Sequence, residues 1–138
     1  MGKIAFVFPG QGAQVVGMGQ NVYENSAVAK DVFEQASKAV DLDLKALCFE
    51  ENNDINITEF TQVCLLTTSV AIMEELKTRG VKADVAAGLS LGEYCALVAA
   101  GSMNFVDAAK AVRKRGIFMQ EEVPAGKGTM AAILGMDA

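Results

Sequence analysis

The chain has 138 residues, of which 51% are apolar and 21% charged, with 13 glycines and 2 prolines. Those are the proportions of one ordinary globular domain, long enough to bury roughly two thirds of its unfolded surface without disulfide or metal staples. A net charge of −5, with no long basic run, argues against nucleic acid as a partner, because phosphate neutralisation dominates that affinity.

The chain contains no histidine, so an imidazole base or ligand would have to come from outside it. Cys48, Cys64 and Cys95 lie in apolar stretches without C-x-x-C spacing and read as reduced core residues of a cytosolic protein. The segment Met1-Gly2-Lys3-Ile4-Ala5-Phe6 has no signal-peptide core, and Phe6 stands where a myristoylation signal has Ser or Thr. It reads as a mature cytoplasmic start. The uncharged apolar runs 60–73 and 94–106 fall short of the ~20 residues of a membrane span.

In chain order, Ile4-Ala5-Phe6-Val7-Phe8 is a continuous apolar run closed by Pro9-Gly10, the pattern of a parallel strand buried on both faces. The loop after it, Gly10-Gln11-Gly12-Ala13-Gln14, stands at the carboxyl end of that strand, where open α/β sheets bind ligands. It is not a dinucleotide fingerprint, since Val15 occupies the place of the third glycine. Ser26 caps a predicted amphipathic helix carrying Val28, Val32, Ala36 and Val40. A short helix near 44–49, a polar connection at 51–54 and a long helix over 60–79 follow. A second strand is expected over 84–87, then a helix over 91–100 that is apolar on every side and hence buried. Asn104 caps a last helix ending near 122, Gly126-Lys127-Gly128-Thr129 reads as a turn, and 130–134 reads as a strand. This alternation argues for an α/β fold.

Gly88-Leu89-Ser90-Leu91-Gly92 is a G-x-S-x-G pattern with a predicted strand before it and a predicted helix after it. That is the context of a nucleophile elbow, in which a tight turn holds the serine outward. A glycine-lined turn with an incidental serine is the alternative. A nucleophilic serine needs donors aimed at the developing oxyanion. The backbone N–H of Leu91, at a helix start, supplies one, and the backbone N–H of Gln11 in the glycine-rich loop supplies the other. On the last helix, Ala108, Ala111, Val112, Arg115 and Met119 project to one side while Lys110, Arg113 and Lys114 face the other way. An arginine in an apolar stripe requires an anion, either a structural carboxylate or a ligand carboxylate held by its planar fork. Lys110, Arg113 and Lys114 form a basic face that is either merely solvated or a docking surface.

Phe8-Pro9-Gly10-Gln11-Gly12-Ala13-Gln14, Gly88-Leu89-Ser90-Leu91-Gly92-Glu93-Tyr94 and Arg115-Gly116 with Met119-Gln120, taken together, resemble the malonyl-CoA:acyl carrier protein transacylases of bacterial type II fatty acid synthesis. The resemblance implies the N-terminal part of an α/β-hydrolase-like parallel-sheet domain over 1–124, with 125–138 starting a ferredoxin-like subdomain. It implies transfer of malonyl from malonyl-CoA to the phosphopantetheine thiol of acyl carrier protein through an acyl-serine, with no cofactor. By the same resemblance Ser90 is the nucleophile, Gln11 and Leu91 form the oxyanion hole, Arg115 holds the malonyl carboxylate, and Gln62 lines the acyl pocket. The family's general base is a histidine from the second half of a chain about twice as long, on the same or a separate polypeptide, so this chain alone is expected to be nearly inactive. Leu89 stands where the family usually has histidine, and Val63 where proline is common after Thr61-Gln62. The alternatives are the acyltransferase domain of a polyketide synthase, a hydrolase releasing free malonate, and a non-catalytic module that docks a carrier or CoA ester through Lys110, Arg113 and Lys114.

Overall fold

The computed structural model describes residues 2–124, 126–128 and 135. Two strands, β1 (Ala5–Phe8) and β2 (Val85–Gly88), pair in parallel with Ala5 opposite Val85 and Phe8 opposite Gly88. A parallel pair needs a long crossover, and here it consists of four helices: α1 (Gln20–Asn25), α2 (Ala27–Val40), α3 (Leu44–Phe49) and α4 (Thr58–Thr78). A 3-10 turn at Asp54–Asn56 precedes α4. Helix α5 (Gly92–Ala99) leaves the end of β2, and α6 (Phe105–Glu122) completes the described elements.

Local sequence accounts for the helix starts. The Ser26 hydroxyl accepts the Ala29 N–H at 3.1 Å, Asp43 accepts from Ala46 at 2.9 Å, and Asn104 accepts from Val106 at 2.9 Å; each takes up one of the orphan donors of a first turn. The polar connection expected at 51–54 leads into the 3-10 turn, which it overlaps at Asp54, and α1, which carries no apolar period of its own, was not anticipated. Helix α4 is the centre of the molecule. Its residues 61–68 are all buried, and it packs against α2, α5 and α6. The core runs from Phe33 and Leu44 through Val63, Leu66 and Val70 to Leu91, Ala108 and Val112.

Two expectations about burial are corrected. Helix α5 is apolar apart from Glu93 and the Tyr94 hydroxyl, yet its buried residues are Gly92 and Cys95, and Leu97 is 40% exposed. The strands are buried on one face only: Phe6, Phe8 and Ala86 join the core, whereas Ala5, Val7, Val85 and Ala87 are exposed on the other. In both cases, among the described residues, no element packs on the second side. The strand expected over 130–134 and most of the segment 125–138 lie outside the described residues. Lys127 donates its N–H to the Pro124 carbonyl at 3.0 Å, consistent with the turn expected there. No described helix is long and apolar enough to cross a membrane.

All three cysteines are buried thiols. Burial pushes the Cys95 thiol up to about 11. Its neighbour Cys48, through a hydrogen bond, and burial push Cys64 up further. Thiols raised in this way stay protonated near neutrality and are poor nucleophiles. Alkylation by iodoacetamide at about pH 8 is therefore expected only after unfolding, with mass spectrometry counting the modified cysteines before and after denaturant.

Candidate active site

The parallel register sets the two strand ends side by side. Phe8 lies opposite Gly88, and the Leu89 N–H donates to the Phe8 carbonyl at 3.1 Å. The glycine-rich loop after β1 and the serine turn after β2 therefore leave the sheet together, at its carboxyl end. Ser90 has φ 51°, in the left-handed region, a conformation that costs a side-chain-bearing residue about 1–2 kcal/mol. The turn is this tight because α5 crosses directly against β1. A Cβ on Gly92 would overlap the Phe8 carbonyl oxygen and meet the Pro9 carbonyl oxygen at 2.8 Å, and one on Gly88 would overlap the Gly92 backbone. Both glycines of the pattern are thus required by close approach, and the left-handed serine between them stands exposed. This is the elbow geometry expected from the sequence.

The other expected residues converge on it. Arg115 Nη2 donates to Ser90 Oγ at 3.0 Å, and Arg115 Nη1 donates to Gln62 Oε1 at 2.7 Å. The guanidinium also lies 5.8 Å from the centre of the Tyr94 ring, one helical turn after the serine. Gln62 is 1% exposed, and its Nε2 donates to Gln11 Oε1 at 3.4 Å and to Met119 Sδ at 3.2 Å. Among the described residues no acceptor inside the chain takes the backbone N–H of Gln11 or of Leu91. Of the two departures from the family pattern, Leu89 is 73% exposed beside the serine and Val63 is fully buried in α4.

The helix phase expected for α6 is wrong by about 60°. Its buried stripe is Ala108, Ala109, Val112 and Gly116, so Arg115 and Arg113 flank it on opposite shoulders. Arg113 does not belong to a free basic face. It pairs with Glu59 Oε2 at 2.7 Å, donates to the Glu59 carbonyl at 2.9 Å, and stacks 4.9 Å from the centre of Phe60; Lys110 and Lys114 remain exposed. The structural carboxylate therefore goes to Arg113. Among the described residues, none lies within ion-pair distance of Arg115.

Sequence reasoning missed Tyr94, Thr58 and Asn56. Tyr94 stands four residues after Ser90, on the same side of α5, and that spacing could have revealed it. Nothing local marks Thr58 or Asn56. Chemically, the site offers an exposed hydroxyl, two backbone donors free among the described residues, and a cation bonded only to neutral oxygens there. Arg115 can only donate to Ser90, so no described side chain bonded to the serine can take its proton.

Residues 5–136 match the family model described as "Acyl transferase domain". The chain belongs to that acyltransferase family. Among curated proteins, it is 53% identical, over its whole length, to the malonyl CoA-acyl carrier protein transacylase of Bacillus subtilis, of which it covers 44%. The solved malonyl CoA-acyl carrier protein transacylase of Clostridium perfringens superimposes with a TM-score of 0.86 at 48% identity, covering 91% of this chain and 40% of that one. A complex of a type II polyketide acyl carrier protein with its malonyl-transacylase matches at TM-score 0.85 and 41% identity, over 91% of this chain and 41% of that one. The chain thus spans under half the length of these relatives.

The elbow makes a direct prediction. Gly92→Ala drives a methyl group into the Phe8 and Pro9 carbonyls and is expected to lower stability by about 1–3 kcal/mol, the cost of overpacking, read as a reduced urea midpoint with an unchanged slope. An unchanged midpoint would contradict the close approach.

Proposed function

We propose that this chain carries the acyl-accepting part of a malonyl-CoA:acyl carrier protein transacylase. The observation that carries the reading is Arg115, a guanidinium without a carboxylate partner among the described residues, held 3.0 Å from the hydroxyl of a left-handed serine. A malonyl ester on Ser90 places its free carboxylate one methylene beyond the acyl carbon, within reach of that fork. Ser90 Oγ attacks the thioester carbonyl as its proton passes to a base. The oxyanion accepts the N–H groups of Leu91 and Gln11, and collapse breaks the carbon–sulfur bond to release coenzyme A as the thiol. The phosphopantetheine thiol of acyl carrier protein then gives its proton to the base and attacks the malonyl-serine through the same oxyanion site; collapse breaks the acyl carbon–Oγ bond, and the base returns the proton to Ser90.

Gln62 keeps Arg115 in place without neutralising it. An acetyl group would leave the cation desolvated and unpaired, which selects against it. The base is the histidine that the family resemblance assigns to the part of the domain beyond the match. We further read the two strands as part of an α/β-hydrolase-like sheet spanning 1–124, with 125–138 opening a ferredoxin-like subdomain. The protein acts in the cytoplasm, with serine as the covalent carrier and no cofactor.

The test measures transfer of radiolabelled acyl groups to holo-acyl carrier protein, by this chain alone and by the chain joined to the C-terminal part of the Bacillus subtilis relative. The chain alone is expected to run roughly 10²–10⁴-fold slower, the worth of a missing general base. In the joined form, Arg115→Ala is expected to lower malonyl transfer by roughly 10²-fold without lowering acetyl transfer. Full-rate turnover by the chain alone, or equal loss of both acyl groups, would contradict the proposal.

A further inference from the structure

The loop that supplies the Gln11 donor contains Gly10 and Gly12, the latter at φ 111°, and its one internal backbone bond, Ala13 N–H to the Gly10 carbonyl, is long at 3.4 Å. Side chains do the fastening. Gln11 Nε2 donates to Thr58 Oγ1 at 3.0 Å, and Gln14 Nε2 donates to Asn56 Oδ1 at 3.1 Å while its Oε1 accepts the Gly12 N–H at 2.8 Å. Both tethers end on one short segment at the start of α4. That segment is itself fixed: Thr61 Oγ1 bonds the Ile55 and Ile57 carbonyls at 2.6 and 3.0 Å, and Gln120 Oε1 on α6 accepts the Thr58 N–H at 3.3 Å. The tie from Gln120 takes up a helix-start donor that α4, with Ile57 as its N-cap and no side-chain cap, does not satisfy itself.

We propose that Thr58, assisted by Asn56, is a positioning residue that holds the glycine-rich loop so that the Gln11 N–H faces the acyl oxygen above Ser90. The inference rests on the reading of Gln11 as an oxyanion donor. A flexible glycine loop samples many orientations, and a donor aims at an oxyanion only when its frame is fixed beforehand. Thr58 touches the oxyanion side of the site directly. The carboxylate side rests on Arg115 and Gln62, and it meets the loop through the long 3.4 Å bond from Gln62 Nε2 to Gln11 Oε1, so acyl preference is the readout that separates the two sides.

The experiment compares parent, Thr58→Val, Thr58→Ser and Asn56→Ala in the chain joined to the C-terminal part of the Bacillus subtilis relative. It records kcat and KM for malonyl-CoA, the malonyl-to-acetyl preference, and amide hydrogen exchange over residues 10–14. Thr58→Val keeps the shape but removes the hydroxyl. It is expected to lower kcat about tenfold, to leave KM and acyl preference unchanged, and to speed exchange in the loop. Thr58→Ser is expected to restore both rate and protection, and Asn56→Ala to give a smaller loss of the same kind. Parent-like kcat and exchange in Thr58→Val would overturn the proposal, as would a Thr58→Ser variant as slow and as unprotected as Thr58→Val. If the parent itself does not acylate, the catalytic reading of Ser90 fails, and the exchange data alone still decide whether Thr58 holds the loop.

Discussion

Everything in the site descends from how closely the first turn of α5 approaches the end of β1. Parallel pairing brings Phe8 and Gly88 side by side, and the helix that follows β2 must start at once, over the Phe8 and Pro9 carbonyls. Only glycine at position 92 leaves room for that crossing. The chain then reverses within two residues by placing Ser90 in the left-handed region, a strain sustained by the packing of the buried Leu91. Two consequences follow from one constraint. The hydroxyl is lifted out of the sheet, and the Leu91 N–H is left free, among the described residues, at a helix start, where the dipole favours negative charge.

The second organising feature is the division of labour between two arginines two residues apart. Arg113 and Arg115 straddle the buried stripe of α6, and α4 offers each a different partner. On one shoulder Glu59 supplies a carboxylate, so Arg113 is neutralised and fastens the two helices. On the other, Gln62 supplies only an amide oxygen. An amide can orient a guanidinium but cannot offset its charge, so Arg115 keeps its appetite for an anion. Gln62 is the only one of these partners that is fully buried, and its position in the core of α4 fixes where that cation sits relative to Ser90.

Much of this was legible in the chain because it depends on short-range rules. G-x-S-x-G between a strand and a helix signals crowding, and the structure shows the crowding at Gly88 and Gly92. The caps at Ser26 and Asn104 rest on side-chain chemistry one to three residues away, and the sequence showed them too. What failed depends on what packs where. The phase of α6 was misjudged because alanines at 108, 109 and 111 are equally apolar, and the choice among them is made by the approach of α4. Arg113 looked solvated because its partner, Glu59, is 54 residues away in sequence. Separations of 47 and 42 residues hide Thr58 and Asn56, ordinary polar residues at a helix start until the fold sets them against Gln11 and Gln14. Helix α5 and the strands looked buried on both sides because apolar composition does not say how many neighbours the described residues provide.

The central claim, that the strained serine beside Arg115 is the acyl acceptor, is tested most directly by finding which atom is acylated. The chain joined to the C-terminal part of the Bacillus subtilis relative would be mixed briefly with malonyl-CoA, quenched in acid, digested and mapped by mass spectrometry. The account predicts a single malonyl group on Ser90 that is lost in Ser90→Ala. A malonyl group on another side chain, or one that persists in Ser90→Ala, would contradict it.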